Sequence, residues 1–152
     1  MSKSLEGRLR WRRTAPFHVQ LELDQVWDPE RASGEIPVNG LVVRVFRADG
    51  RLDVGDHIEF PLYVCHKGDE PTGPAFIYAD ALARAVYMEA YLAGTPPKCE
   101  LVAYEFCVLD APSDRPVMTP TKLEETEAGM AALYKADRPM LKRRNWRFWR
   151  RN

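Results

Sequence analysis

Two short segments carry residue types that could do chemistry on a ligand. One is Arg-Leu-Arg-Trp-Arg-Arg over 8–13. The other is Lys-Arg-Arg-Asn-Trp-Arg-Phe-Trp-Arg-Arg over 142–151. Planar guanidinium groups fork onto phosphates and stack on bases, and Trp and Phe rings offer further stacking faces. The candidate contact residues are Arg10, Trp11, Arg12 and Arg13 in the first segment. In the second they are Lys142, Arg143, Arg144, Trp146, Arg147, Phe148, Trp149 and Arg150. This combination suits single-stranded nucleic acid. It also suits an acidic protein surface, on the chain's own body or on a partner copy, with the tryptophans as packing anchors and self-association as the result. An anionic membrane surface is the third and weakest candidate partner. Composition alone does not separate the three.

The charge layout sharpens the point. The 22 Lys+Arg cancel the 22 Asp+Glu, but residues 1–13 hold five basic residues against one Glu, and 138–152 hold seven and no acid. The span 14–137 holds ten basic and twenty-one acidic residues. A neutral mean therefore conceals an acidic body between two basic ends, an asymmetry that points to partners for the ends.

Other chemistries find little material. His18, His57, His66, Cys65, Cys99 and Cys107 show no C-x-x-C or H-x-x-x-H spacing. On one strand Cys99 and Cys107 would sit roughly 26 Å apart, at about 3.3 Å per residue, too far to share a zinc. Three cysteines is an odd count for a disulfide framework, so free thiols are expected. The serines are Ser2, Ser4, Ser33 and Ser113, and no G-x-S-x-G, P-loop, dinucleotide fingerprint or H-E-x-x-H occurs. Cys65 assisted by His57 or His18 is the one conceivable nucleophile. Asp49, Asp53 and Asp56 lack the spacing of an EF-hand loop and suit an exposed turn. The loop 66–76, with His66, Lys67 and Phe76 among its Gly and Pro residues, could frame a small ligand. No catalytic residue, metal or cofactor is assigned.

The elements that must position these segments follow from periodicity. Residues 17–27 alternate Phe17, Val19, Leu21 and Leu23 against polar neighbours, as a half-buried strand does. Residues 28–40 read as a loop with an extended end. A strand over 41–47 leads to Asp49-Gly50, which favours a tight hairpin. A third strand over 57–64 contains Pro61, which predicts an edge or a bulge. Residues 78–93 place Ala79, Leu82, Ala83, Val86, Ala90 and Ala93 on one stripe at helical spacing, ahead of Gly94 and Pro96-Pro97. Strand composition returns over 99–109, where Glu105 disturbs an otherwise apolar run from Leu101 onward. A short strand at 116–118 could follow, and Thr119-Pro120 can start a helix over about 120–136.

This order predicts an α+β protein, mainly antiparallel β. It is similar to a small OB-like Greek-key barrel, with an open antiparallel sheet carrying one central helix and a C-terminal helix as the alternative. The expected organisation is a basic N-terminal arm at 1–16, a single globular domain at 17–137 and a basic, aromatic C-terminal tail at 138–152. At 152 residues and 45% apolar composition the chain can bury a sizeable core. No apolar run nears the ~20 residues of a membrane span, and no leader is visible, so a cytoplasmic location is expected. The functional expectation is a non-enzymatic binding module using its Arg/Trp-rich termini, with single-stranded nucleic acid as the candidate ligand. The alternative is a structural or assembly protein whose basic tails dock on acidic surfaces of its own or partner subunits.

Overall fold

The computed structural model describes residues 4–24, 30–73 and 75–131, excepting the side chain of Tyr104. The chain divides into two compact units, 1–118 and 119–152. In the first, helix α1 (Leu5–Thr14) precedes strands β1 (Phe17–Leu23), β2 (Gly34–Arg47), β3 (His57–Cys65) and β4 (Ile77–Tyr78). Helix α2 (Ala79–Arg84) and strands β5 (Tyr87–Thr95) and β6 (Lys98–Leu109) follow.

Closure of the sheet comes from β2. Its 14 residues pair antiparallel with β1 through their second half and with β3 through their first half. Two register shifts against β1, at His18/Val19 and Gln20/Leu21, put extra residues on β2 and bend it between its partners. β1 also pairs β5, β5 pairs β6, and β6 meets β3 in parallel at Glu59↔Lys98. The ring β1-β2-β3-β6-β5 is a closed five-stranded, OB-like barrel with α2 entering between β3 and β5, and β4 is appended to β3.

The barrel is filled by alternate residues of its strands, those of β1 and β3 as their alternation predicts, while Ile36, Val38, Met88 and Leu92 lie outside the strands expected from the sequence. Phe17, Val19 and Leu21 meet Ile36, Val38, Ile58, Phe60, Leu62, Met88, Ala90 and Leu92 in one core, each at most 2% exposed. Pro61 lies within β3 and not at a free edge. It falls between the two stretches where the far side of β3 is bridged, Glu59 to β6 and Val64–Cys65 to β4, so its missing N–H leaves no bridge unmade. The expected tight hairpin is a longer connection holding two turns, in which Arg51 N–H donates to Ala48 O and Asp56 N–H to Asp53 O. Asp49 and Gly50 do adopt the positive φ expected of them, 49° and 71°.

The largest departure from expectation is at 78–93. The helix spans only Ala79–Arg84, and Tyr87–Thr95 form a barrel strand. Ala79, Leu82 and Ala90 satisfy a period of 3.6, but Met88, Ala90 and Leu92 also satisfy a period of two. Barrel closure needs a strand there to bridge β1 and β6, so tertiary pairing overrides helix propensity. Val86, placed on the buried stripe by the sequence, is 50% exposed. Gly94, expected to end a helix, has φ 107° and its Cα faces Lys98 O closely enough that an added Cβ would come within 3.1 Å. It serves the β5–β6 turn instead.

Residues 116–118 do not form the expected strand; the backbone N–H groups of Val117 and Met118 bond to a buried carboxylate of β5 instead. Of residues 28–40, expected as a loop with an extended end, 34–40 belong to β2. In the second unit, α3 occupies residues 120–131 of the expected 120–136. Thr119 Oγ1 caps it by accepting from Lys122 N–H at 3.0 Å, and residues 132–136 lie outside the described residues. Among the described residues no helix is long and apolar enough to cross a membrane.

The two readings of 78–93 predict different mutational outcomes. Val86→Asp should change stability by no more than about 0.5 kcal/mol, as an exposed substitution does, whereas Met88→Asp should cost more than about 4 kcal/mol by burying an unpaired charge. Urea melts of the two variants check this.

Candidate functional site

The N-terminal segment expected as a basic arm is the helix α1. Ser4 caps it, accepting from Gly7 N–H at 3.2 Å, and Glu6 lies in the first turn where the helix dipole favours an anion. Pro16 disfavours the helical conformation at Ala15 and ends it. Arg8 and Arg12, four residues apart, share one side of the helix. Both reach Glu105 of β6: Arg8 Nε donates to Oε1 at 2.7 Å, and Arg12 Nε and Nη2 donate to Oε2 at 3.1 and 2.8 Å.

Arg12 and Glu105 are both buried, 6% and 4% exposed. A carboxylate in such a place is tolerated only when its oxygens are hydrogen-bonded and its charge is matched. The helix end is held from a third direction. Arg47 of β2 donates through Nη1 to Ala15 O at 2.9 Å and through both terminal nitrogens to Arg12 O at 3.2 Å, supplying a cation to the C-terminal carbonyls.

A second carboxylate is buried beside the first. Glu89 of β5 is fully buried and accepts from His18 Nε2 at 3.2 Å and Gln20 Nε2 at 2.8 Å. It also accepts from the backbone N–H of Val117, at 2.9 Å, and of Met118. Those two N–H groups are the ones a strand at 116–118 would have spent on a neighbour. Burial alone would raise the pKa of Glu89, but the hydrogen bonds from His18, Gln20, Val117 and Met118 outweigh it and hold the carboxyl below its ordinary range. Gln20 accepts in turn from Ser113 N–H at 2.8 Å, and Tyr91 O–H donates to Met118 O. His18 stacks on Tyr91, ring centroids 4.0 Å apart. Burial pushes the Tyr91 hydroxyl up to about 12, and burial with Glu89 beside it pushes the Cys107 thiol up to about 11.

These contacts split the N-terminal candidates. Arg12 is turned inward on Glu105 and Trp11 is half-buried, while Arg10 and Arg13 are exposed and, with Leu5 and Leu9, line an open hollow along α1. The C-terminal candidates, Lys142 to Arg150, lie outside the described residues. Neither Cys65 nor the 66–76 loop shows the geometry of a nucleophile site. Cys65 is buried, and burial followed by Glu70 and Asp69 raises its thiol pKa. His66 Nε2 is engaged with Arg31 O at 2.8 Å. All three cysteines are free thiols. Among the described residues no group of three His, Cys, Asp or Glu is placed to hold a metal ion.

Sequence reasoning missed the roles of Glu89, His18, Gln20 and Arg47. Glu105 gave the one usable signal, as the charge that interrupts the otherwise apolar stretch from Leu101 to Leu109. Comparison with protein-family models, with curated proteins and with solved structures finds no match to this chain.

Glu105→Ala should destabilise the protein by about 3–5 kcal/mol, because it leaves the buried Arg12 without its carboxylate. Glu89 has a folded pKa below its unfolded value, so its stabilisation is complete above about pH 4.3 and is lost as the pH falls through the lower folded value. Glu89→Gln should therefore lower stability by about 3 kcal/mol at neutral pH and flatten the acid limb of the stability curve. Denaturant melts across the acid range measure both effects.

Proposed function

We infer that this protein is a non-enzymatic OB-like binding module that contacts single-stranded nucleic acid through the exposed side of α1 together with the Arg/Trp-rich run 142–151. The observation that carries this reading is the division of labour on α1. Arg8 and Arg12 anchor the helix on Glu105, and Arg10 and Arg13 are thereby presented from a fixed element. Cations held on an ordered helix lose less conformational entropy on binding than cations on a free chain. Trp11 on the same helix, and Trp146, Phe148 and Trp149 in the later run, add stacking faces. The likeness to OB barrels supports the fold alone, since one fold hosts many functions. The free thiols fit a reducing compartment such as the cytoplasm.

A second reading has its own support in the Arg12–Glu105 pair. Arginine on buried carboxylate is already used inside this chain, and the same chemistry between copies would make the protein an assembly element.

Binding of fluorescein-labelled oligothymidylate, followed by anisotropy between about 50 and 200 mM salt, separates the two. Arg10→Gln with Arg13→Gln should flatten the slope of log K against log salt by about 1.4, at about 0.7 for each phosphate no longer neutralised. A chain ending at Asp137 should lose most of the affinity. Absence of binding at the lowest salt would reject the nucleic-acid reading, and a fall in the number of chains per particle on truncation would favour assembly.

A further inference from the structure

The barrel face made by β2, β3 and β4 has the opposite chemistry to the exposed side of α1. Ile36 and Val38 of β2 and Leu62 and Val64 of β3 point into the core, so alternation turns Glu35, Pro37, Pro61 and Tyr63 outward. The register sets Glu35 opposite Tyr63 and Pro37 opposite Pro61. β4 extends this face. Its parallel register, Val64↔Ile77 and Cys65↔Tyr78, buries Ile77 and leaves Phe76 and Tyr78 on the outer side. Phe76 and Tyr78 meet edge to face with centroids 5.2 Å apart. Tyr63, Phe76 and Tyr78 are all half-buried, giving an aromatic strip floored by the sheet and continued by the two prolines.

Carboxylates border the strip. Glu70 accepts from Tyr78 O–H at 3.0 Å and from Gly68 N–H at 3.0 Å, which fixes it at the edge of the Tyr78 ring. Asp69 beside it accepts from Ser33 Oγ at 2.9 Å, and Glu35 is exposed across from Tyr63. Lys67 lies in the same loop, so the border is mixed but predominantly acidic. Hydrogen bonds from its own backbone N–H, from Gly68 and from Tyr78 hold the Glu70 carboxyl below its ordinary range, keeping it ionised.

We propose that this face docks an arginine-rich peptide segment of a partner protein, with guanidinium groups lying over Tyr63, Phe76 and Tyr78 and pairing with Glu35 and Glu70. Charge complementarity selects a cation and disfavours phosphate. The aromatic strip selects arginine over lysine, because the planar guanidinium stacks on a ring while presenting its edge to a carboxylate, which a hydrated ammonium does not do.

The test uses the full-length protein and fluorescein-labelled oligoarginine and oligolysine peptides of equal length, read by anisotropy at physiological salt. Oligoarginine should bind about fivefold more tightly than oligolysine. Phe76→Ala should remove that preference; Tyr63→Leu, which keeps bulk against the sheet, tests the same point if Phe76→Ala lowers the melting temperature. Glu35→Gln with Glu70→Gln should weaken both peptides about tenfold. Asp49→Asn with Asp110→Asn, the same charge removed elsewhere, should leave them near the parent. Equal affinities for the two peptides, equal effects of the two double variants, or no binding at all would overturn the proposal. So would a loss of oligothymidylate binding in Tyr63→Leu, which would assign the face to nucleic acid.

Discussion

Two carboxylates buried on the outer side of the barrel constrain everything around it. Glu89 and Glu105 stand on adjacent strands, on the side facing away from the apolar core. Removing an ionised carboxylate from water is costly unless its oxygens find donors and its charge finds a match. Each acid therefore dictates what must lie above it. Glu105 requires two arginines one helical turn apart, which sets both the position of α1 and the face it turns to the sheet. Glu89 requires donors that the neighbouring strand β1 supplies only in part, through His18 and Gln20. The N–H groups of Val117 and Met118 complete the set, so the chain leaving β6 must fold back across the sheet.

A small second core seals this layer. Ala15 at the end of α1, Tyr91 and Met118 pack together, with Val102 and Cys107 alongside. Polar and apolar contacts thus work in one place, and the apolar cover raises the cost of breaking any hydrogen bond beneath it. Arg47 ties β2 into the same layer by capping α1, which links the strand that closes the barrel to the helix that covers it.

The same constraint sorts the surface. With Arg8 and Arg12 committed inward, the outward side of α1 keeps Arg10 and Arg13, while the β2–β3–β4 face keeps carboxylates, prolines and aromatic rings. One small domain thereby carries two surfaces of opposite sign. The near-zero net charge of the chain conceals both.

Much of this was legible in the amino-acid order. The alternation in Phe17–Leu23 and in 57–64 marked strands because it has a period of two, the β-branched and apolar runs 41–47 and 99–109 marked two more, and the element order pointed to an OB-like barrel or, as the alternative, an open antiparallel sheet. The Thr119-Pro120 start of α3 and the positive φ of Asp49-Gly50 were equally local, since capping and turn chemistry depend on a few adjacent residues. Tertiary structure decided the rest. Ala90 fits both the helical stripe begun by Ala79 and Leu82 and the alternation of Met88, Ala90 and Leu92, and only the need to bridge β1 and β6 made Tyr87–Thr95 a strand. The basic N-terminal segment became a docked helix because Glu105, more than ninety residues away, was buried under it, and no local pattern records a pairing across that distance.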